Sequence, residues 1–185
     1  MLRAEAGVLW GPMPGPLIAI RLAQASEAPA IAHLSRDLIE TGLAWTWTPN
    51  RVAASVRSRH ALVAVAASGP RIAGFGVMRY GDEEAHLDLF GVAREYRGAG
   101  LGRRLVEWLE KPALVAGITT VFLEVRESNR GGQAFYERIG YRKLAILPRY
   151  YQGVESAVRM GRELGVQPGG PPPLVQFDPL KRIQR

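Results

Sequence analysis

Val92-Ala93-Arg94-Glu95-Tyr96-Arg97-Gly98-Ala99-Gly100-Leu101-Gly102-Arg103-Arg104 is the stretch on which the reading of this chain turns. The apolar residues that end at Val92 suit a strand. Beyond the glycines, Leu101, Leu105, Trp108, Leu109 and Pro112 recur at i, i+4, i+7, i+8 and i+11, the spacing of one helix face. A strand therefore runs through a glycine-rich turn into a long helix. Such a turn aims unpaired backbone N–H groups outward at the positive end of a helix dipole. Glycines let that backbone come close to a phosphate, and Arg97, Arg103 and Arg104 add fixed positive charge. The segment suits a pyrophosphate.

Three kinds of phosphate-bearing ligand use such loops. A nucleoside-triphosphate loop needs Gly-x-x-x-x-Gly-Lys-Ser/Thr, and no lysine stands here. A dinucleotide fingerprint needs Gly-x-Gly-x-x-Gly. Gly98 and Gly100 fit it, Arg103 occupies the third place, and Glu124 would be the ribose-binding acid. An acyl-CoA loop, Arg/Gln-x-x-Gly-x-Gly/Ala, is satisfied in full by Arg97, Gly100 and Gly102. A plain turn before a helix can carry the same short pattern, so the rest of the chain has to decide.

Upstream, residues 17–22 read as a first strand. Ser26 is expected to cap a helix reaching about residue 41, with Ile31, Leu34, Leu38 and Ile39 on one face. Thr48-Pro49 marks a second helix start. Strands are expected over 62–67 and 72–80, joined as a hairpin by Ser68-Gly69-Pro70-Arg71, and over 85–92. Pro112 is expected to kink or end the long helix, with Gly117 as its C-cap. A strand over 120–126, a short helix after Asn129 closed by Gly140, and strands over 141–147 and 156–162 follow. One β-α-β crossover sits among hairpins. The expected class is α/β in the α+β sense, a mixed, mostly antiparallel central sheet of about seven strands flanked by about four helices. Residues 1–15 are expected to be a flexible lead and 16–164 the folded domain. Residues 165–185, with eight glycines and prolines, are expected to be a disordered tail.

Composition narrows the chemistry. The 185 residues are 47% hydrophobic and 22% charged, which excludes global disorder. With no cysteine, thiol nucleophiles, disulfide scaffolds and Cys-ligated metals are excluded. His33, His60 and His86 offer no ligand pair at helical spacing, so no metal is expected. The longest apolar run is seven residues, Ala61 to Ala67, and no membrane span is expected. Glycines and prolines interrupt any signal-peptide core, which points to a cytoplasmic protein. The net charge of +7 comes almost wholly from arginine, which suits an anionic partner, nucleic acid or a phosphorylated cofactor. No helix-turn-helix, RNP or zinc motif supports nucleic acid, and no such partner is expected.

A second block completes the picture: Leu123-Glu124-Val125-Arg126-Glu127-Ser128-Asn129, then Ala134-Phe135-Tyr136-Glu137-Arg138-Ile139-Gly140-Tyr141. Together with the glycine loop it resembles the GCN5-related N-acetyltransferase (GNAT) superfamily over roughly 17–164, most strongly over 88–141. The glutamate twelve residues before Tyr136, and Arg149-Tyr150-Tyr151 followed by Gly153 and Glu155-Ser156-Ala157, resemble the ribosomal-protein and other protein N-terminal acetyltransferases. Ser156 stands where that group has an acid, and Gly131-Gly132 where it has helix formers. The stretch 42–49 matches no known peptide-binding pattern.

The resemblance implies acetyl-CoA as co-substrate, no metal, and an amine acceptor, either a protein N-terminus or a small molecule such as an amino acid, polyamine or antibiotic. The protein would be a monomer or homodimer; a non-catalytic acyl-CoA sensor is the competing role. It implies a splay between the strands ending at Val92 and beginning near Val121. The cofactor would lie on Phe90, Gly91, Val92, Arg97, Gly98, Ala99, Gly100, Leu101, Gly102, Arg103 and Asn129. Gly91 would provide a bulge or close backbone approach, and the Val92 N–H would polarise the thioester carbonyl. Glu124 is the candidate base, directly or through water; a salt bridge to Arg126 or a solvated carboxylate is its bland alternative. Tyr136 is the candidate acid for the departing thiolate, with a core tyrosine as the alternative. Asn129 suits a helix cap. Trp45, Trp47, Tyr150 and Tyr151 are candidates for the acceptor pocket. His86 and Asp88 could line the site from their strand, but a lone strand histidine is more often structural.

Overall fold

A computed structural model describes residues 17–165. The expected lead, and the tail from 166 onward, lie outside the described residues. Seven strands form one sheet in the order β1-β2-β3-β4-β5-β7-β6. They are β1 (Ala19–Leu22), β2 (Ala61–Ser68), β3 (Arg71–Tyr80), β4 (Glu84–Val92), β5 (Thr120–Arg126), β6 (Arg142–Tyr151) and β7 (Glu155–Glu163). Among the described residues only β4 and β5 pair in parallel, across the crossover helix. The helices are α1 (Ala28–Leu38), α2 (Pro49–Arg57), α3 (Leu101–Val115) and α4 (Arg130–Arg138). Among the described residues no helix is long and apolar enough to cross a membrane.

Strand alternation divides the core between the two sheet faces. Val121, Leu123 and Val125 of β5 join Leu105 and Leu109 of α3 and Ile139 after α4. On the other face Val63, Val65, Phe75 and Val77 meet Ile31 of α1 and Val52 of α2.

Two features of β4 create the site. Its pairing with β3 slips between Val77↔Leu89 and Met78↔Leu87, which leaves Asp88 as the extra residue of a bulge. Ala85 and Leu87 pack on the α3 face, whereas Leu89 packs on the α1/α2 face. The bulge thus resets the alternation. His86 and Asp88 face α1 and α2, while Phe90 and Val92 face α3 and α4. The parallel pairing with β5 runs from Glu84↔Thr120 only to Leu87↔Leu123. Beyond that point the strands part.

Several local expectations need correction. Gly91 is not the bulge; an added Cβ there would meet the Phe75 ring at 2.8 Å, so the glycine serves close approach. Ser26 does not cap α1. The chain first makes a 3₁₀ turn over Ala25–Glu27, where the Glu27 carboxylate accepts from Gln24 N–H at 2.8 Å and binds Arg21 at two points. The helix then stops at Leu38 rather than near 41. Pro112 lies inside α3, which continues to Val115, because the last turn closes on the proline carbonyl through the Ala116 N–H at 3.0 Å. Gly117, just beyond the cap at Ala116, is left-handed (φ +79°). Strand β6 extends past Pro148 to Tyr151, which an edge strand tolerates. Thr48 caps α2 as its residue type predicts, accepting from the Arg51 N–H at 3.4 Å.

Candidate active site

The glycine loop leaves β4, makes a 3₁₀ turn over Arg94–Tyr96 and enters α3 at Leu101. Gly98 and Gly100 are left-handed, at φ +84° and +76°, and an added Cβ at either would meet nothing within 4 Å. Backbone conformation, not crowding, demands glycine there. Gly102 answers a different need: its Cβ would press on the Phe135 ring at 3.1 Å. The Arg97 Nε donates to the Val92 carbonyl at 2.9 Å and ties the loop to the strand end. Arg103 pairs with Glu107 at 2.7 Å along the exposed helix face. Ala93 N–H donates to Ala73 O on β3, so the alternation of β4 turns the Val92 N–H toward the vacated β5 side.

One cleft runs along this splay. Phe90, Gly91, Val92, Arg97, Gly98, Gly100, Leu101, Gly102 and Arg103 line it, as do Asn129, Glu124 and Tyr136; Ala99 does not. Asn129 caps α4, its Oδ1 accepting from the Gly132 N–H at 2.9 Å. A Cβ on Gly132 would sit 2.6 Å from the Asn129 amide, so the unusual glycine leaves room for the cap. Tyr136, on α4, is 8% exposed and packs on Phe90, Phe135 and Tyr141 with ring centroids 5.1–6.2 Å away. Burial pushes its pKa up, so the phenol keeps its proton across the neutral range.

Glu124 is neither solvated nor paired with Arg126, which corrects the bland reading of it. Its side chain is 4% exposed. One carboxylate oxygen accepts from Arg159 Nε at 2.8 Å. The other lies 2.9 Å from His86 Nε2 and accepts from the Tyr150 hydroxyl at 3.2 Å. The His86 Nδ1 is 2.6 Å from Asp88, and Arg79 binds the Asp88 carboxylate at 2.9 and 2.6 Å. Arg79, Asp88, His86, Glu124 and Arg159 thus form a row of alternating charge across β3, β4, β5 and β7. Burial alone would lower the His86 pKa, but its hydrogen bonds to Asp88 and Glu124 and their charges raise it to about 9. Burial would raise Asp88 and Glu124. The cations bonded to each reverse this, holding Asp88 at about 2 and Glu124 below the ordinary carboxylate value.

The far end of the cleft is bounded by Trp47, Arg51, Tyr150 and Tyr151. Tyr151 donates to the Glu124 carbonyl at 3.1 Å. Arg51 lies 4.1 Å over the Trp47 ring. Trp45 is not brought to the cleft; it packs on His33 and under Arg36. Three unforeseen contacts organise this end. The buried Glu40 accepts from Thr46 N–H at 2.7 Å and from Trp47 N–H at 3.2 Å, folding the α1–α2 loop. Gln152 makes two 2.9 Å bonds with the Ala44 backbone, strapping the β6–β7 turn to that loop. Arg126 binds Glu155 at 2.5 Å and the carbonyls of Ile39 and Thr41 at 3.2 and 2.8 Å.

Comparison with known proteins follows the geometry. The pattern of the acetyltransferase (GNAT) family matches residues 26–141. An uncharacterised N-acetyltransferase of Methanocaldococcus jannaschii is 38% identical over 93 residues, 49% of this chain and 58% of that protein. The [ribosomal protein bS18]-alanine N-acetyltransferase of Escherichia coli is 29% identical over 140 residues, 74% of this chain and 91% of that protein. The crystal structure of the ribosomal-protein-S18-alanine N-acetyltransferase from Escherichia coli superposes with a TM-score of 0.69 at 26% identity, covering 87% of this chain and all of that one. The strand–glycine loop–helix crossover, the splay beyond Leu87 and the matched span agree, and the chain belongs to the acetyltransferase (GNAT) family.

Proposed function

We propose that the protein moves an acetyl group from acetyl-CoA to a primary amine by direct attack in a ternary complex, and that the acceptor is a protein N-terminal α-amine. The observation that carries this reading is the cleft itself: a glycine loop at one end, an inward Val92 N–H at the splay, and Glu124 and Tyr136 in its walls. Acetyl-CoA supplies the activated acetyl thioester. Gly98 to Gly102 and the α3 N-terminus suit its pyrophosphate, because open left-handed glycines present backbone N–H groups beside Arg97 and Arg103. The Val92 N–H stands where it can donate to the thioester oxygen. Glu124 receives the amine's proton, directly or through water, and the Tyr136 phenol protonates the departing sulfur.

The acceptor follows from the proton balance. An α-amine has an unperturbed pKa near ~8 and a lysine amine one near ~10.4. Glu124 is held below the ordinary carboxylate range, so it suits the more easily deprotonated amine. The similarity to a protein that acetylates the alanine of a ribosomal protein supports the same class. An acetyl-CoA turnover screen across N-terminal peptides, amino acids, polyamines and aminoglycosides, read by thiol release, tests this. The chain has no cysteine, so the protein adds no thiol background. Turnover is expected with α-amino peptides; preference for a small amine would replace the acceptor, and no turnover with any amine would end the reading.

A further inference from the structure

We propose that Asp88 is a positioning residue for acetyl transfer: from its β-bulge it holds His86 as the proton-bearing link to Glu124, and so sets the pH at which the Glu124–His86 pair can take the acceptor's proton. The proposal rests on the acetyl-transfer reading above.

The geometry leaves little freedom. His86 is enclosed between two carboxylates, Asp88 at 2.6 Å from Nδ1 and Glu124 at 2.9 Å from Nε2. Ionised carboxylates only accept, so both ring nitrogens donate and the ring carries two protons. Without the bulge, β4 would keep a strict alternation. Asp88, two residues along, shares the His86 face in either case; as the extra residue between the two flanking β3 pairs it stays there unpaired while Phe90 is turned to the other face. Arg79 on β3 binds both Asp88 oxygens, sharing Oδ1 with His86, and keeps the carboxylate ionised. On the Glu124 side stand Arg159 from β7 and the Tyr150 hydroxyl from β6.

A carboxylate flanked by two cations is a poor proton acceptor. The pair becomes a better one when His86 has released one proton to solvent. Glu124 can then take the amine's proton and share it with the neutral imidazole at Nε2. In that transfer the nitrogen bonds to the acyl carbon as the amine N–H bond breaks and its proton is added to the Glu124–His86 pair; the carbon–sulfur bond then breaks with its electron pair on sulfur, which takes the Tyr136 proton, and the proton held by the pair leaves to water as Tyr136 regains one from water. Asp88 touches no reacting atom. Its charge decides how tightly His86 keeps its proton, consistent with a His86 pKa raised to about 9.

The test compares wild type with Asp88→Asn and Arg79→Gln, using one acceptor peptide throughout so that the peptide's own ionisation cancels. The pH dependence of kcat/KM, each profile scaled to its own plateau, is set beside the His86 titration followed by imidazole NMR. Asp88→Asn is expected to lower the His86 midpoint and the rising limb together by about one pH unit, roughly tenfold in relative rate on that limb. Arg79→Gln frees Asp88 to act on His86 alone, so both readouts move upward by less. It also serves if the asparagine variant does not fold. A His86 midpoint that stays put, or a midpoint that moves while the limb does not, overturns the proposal. Wild-type protein that releases no thiol with any amine overturns the acetyl-transfer reading itself, a result distinct from a limb that fails to follow His86.

Discussion

Replacing Glu124 with glutamine keeps the side chain's shape and removes one buried charge. The carboxylate accepts from His86, Arg159 and Tyr150 within 2.8–3.2 Å. An amide offers one oxygen and turns an NH₂ toward a group that also donates. Removing one partner of a buried ion pair costs about 3–5 kcal/mol. Part of that cost can be relieved, because His86 can give up its proton and Arg159 cannot. The His86 pKa stands at about 9 against an ordinary 6.5. At about 1.4 kcal/mol per pH unit, that shift contributes on the order of 3 kcal/mol to folding. Because the folded-state value is raised, the contribution is whole below pH 6.5 and is lost as the pH climbs through 9. Asp88 and Glu124 share responsibility for it, so Glu124 accounts for roughly 1–2 kcal/mol.

Urea unfolding of wild type and Glu124→Gln at pH 6 and pH 10, followed by tryptophan fluorescence, measures this. The variant is expected to lose about 3 kcal/mol at pH 6. At pH 10 His86 is neutral in both proteins, and the loss should shrink by roughly 1–2 kcal/mol. An equal loss at the two pH values would show that His86 carries no proton between the carboxylates. A loss under about 1 kcal/mol at pH 6 would show that the row is not a buried ion pair at all.

Three further outcomes are expected. Tyr136→Phe should lower kcat by about 10² to 10⁴ at saturating acetyl-CoA, the range for a positioned acid, with coenzyme A affinity nearly unchanged; near-normal turnover with altered stability would make Tyr136 a core residue. Gly100→Glu forces a side chain into a left-handed position and sets a negative charge in the loop, so calorimetry should show coenzyme A binding weakened by more than about tenfold while the far-UV spectrum is kept. Gln152→Ala removes the two bonds to Ala44 and should raise the acceptor KM by roughly three- to tenfold without changing the acetyl-CoA KM, an expectation that equal changes in both constants would contradict.

The loop and its helix were legible because their signals are local. Glycine at Gly98 and Gly100 reports a backbone conformation, and the spacing of Leu101, Leu105 and Leu109 reports a buried stripe. Alternation along β5 placed Glu124 on the opposite face from Val121, Leu123 and Val125, and that is where it lies. The partners of Glu124 were not legible. Arg159 is 35 residues away in sequence and meets it only because β7 lies antiparallel beside β5. His86 looked like a lone strand histidine for the same reason, since its second neighbour, Glu124, sits on a strand beyond the crossover. Its first neighbour was visible: His86 and Asp88 stand two apart on one strand and so share a face. Trp45 misled because two aromatics in one loop point to different places. The Glu40 bonds to Thr46 and Trp47 turn Trp47 into the cleft, and Trp45 packs on α1.

One extra residue in β4 gives the site its division of labour. A regular strand would place His86, Asp88 and Phe90 on one face and Leu87, Leu89 and Gly91 on the other. The bulge at Asp88 keeps His86, Asp88 and Leu89 on the α1/α2 side and sends Phe90 and Val92 to the α3/α4 side. The same strand therefore presents charge where the far end of the cleft is bounded by Trp47, Tyr150 and Tyr151, and an apolar wall where the glycine loop begins. Parting from β5 just after Leu87 then leaves Val92 with an N–H that β5 does not use. The two irregularities act on adjacent residues, and neither alone would suffice. Without the splay the Val92 amide would be consumed by a neighbouring strand, and without the bulge Phe90 and Val92 would fall on the α1/α2 face beside His86 and Asp88, away from the glycine loop's helix.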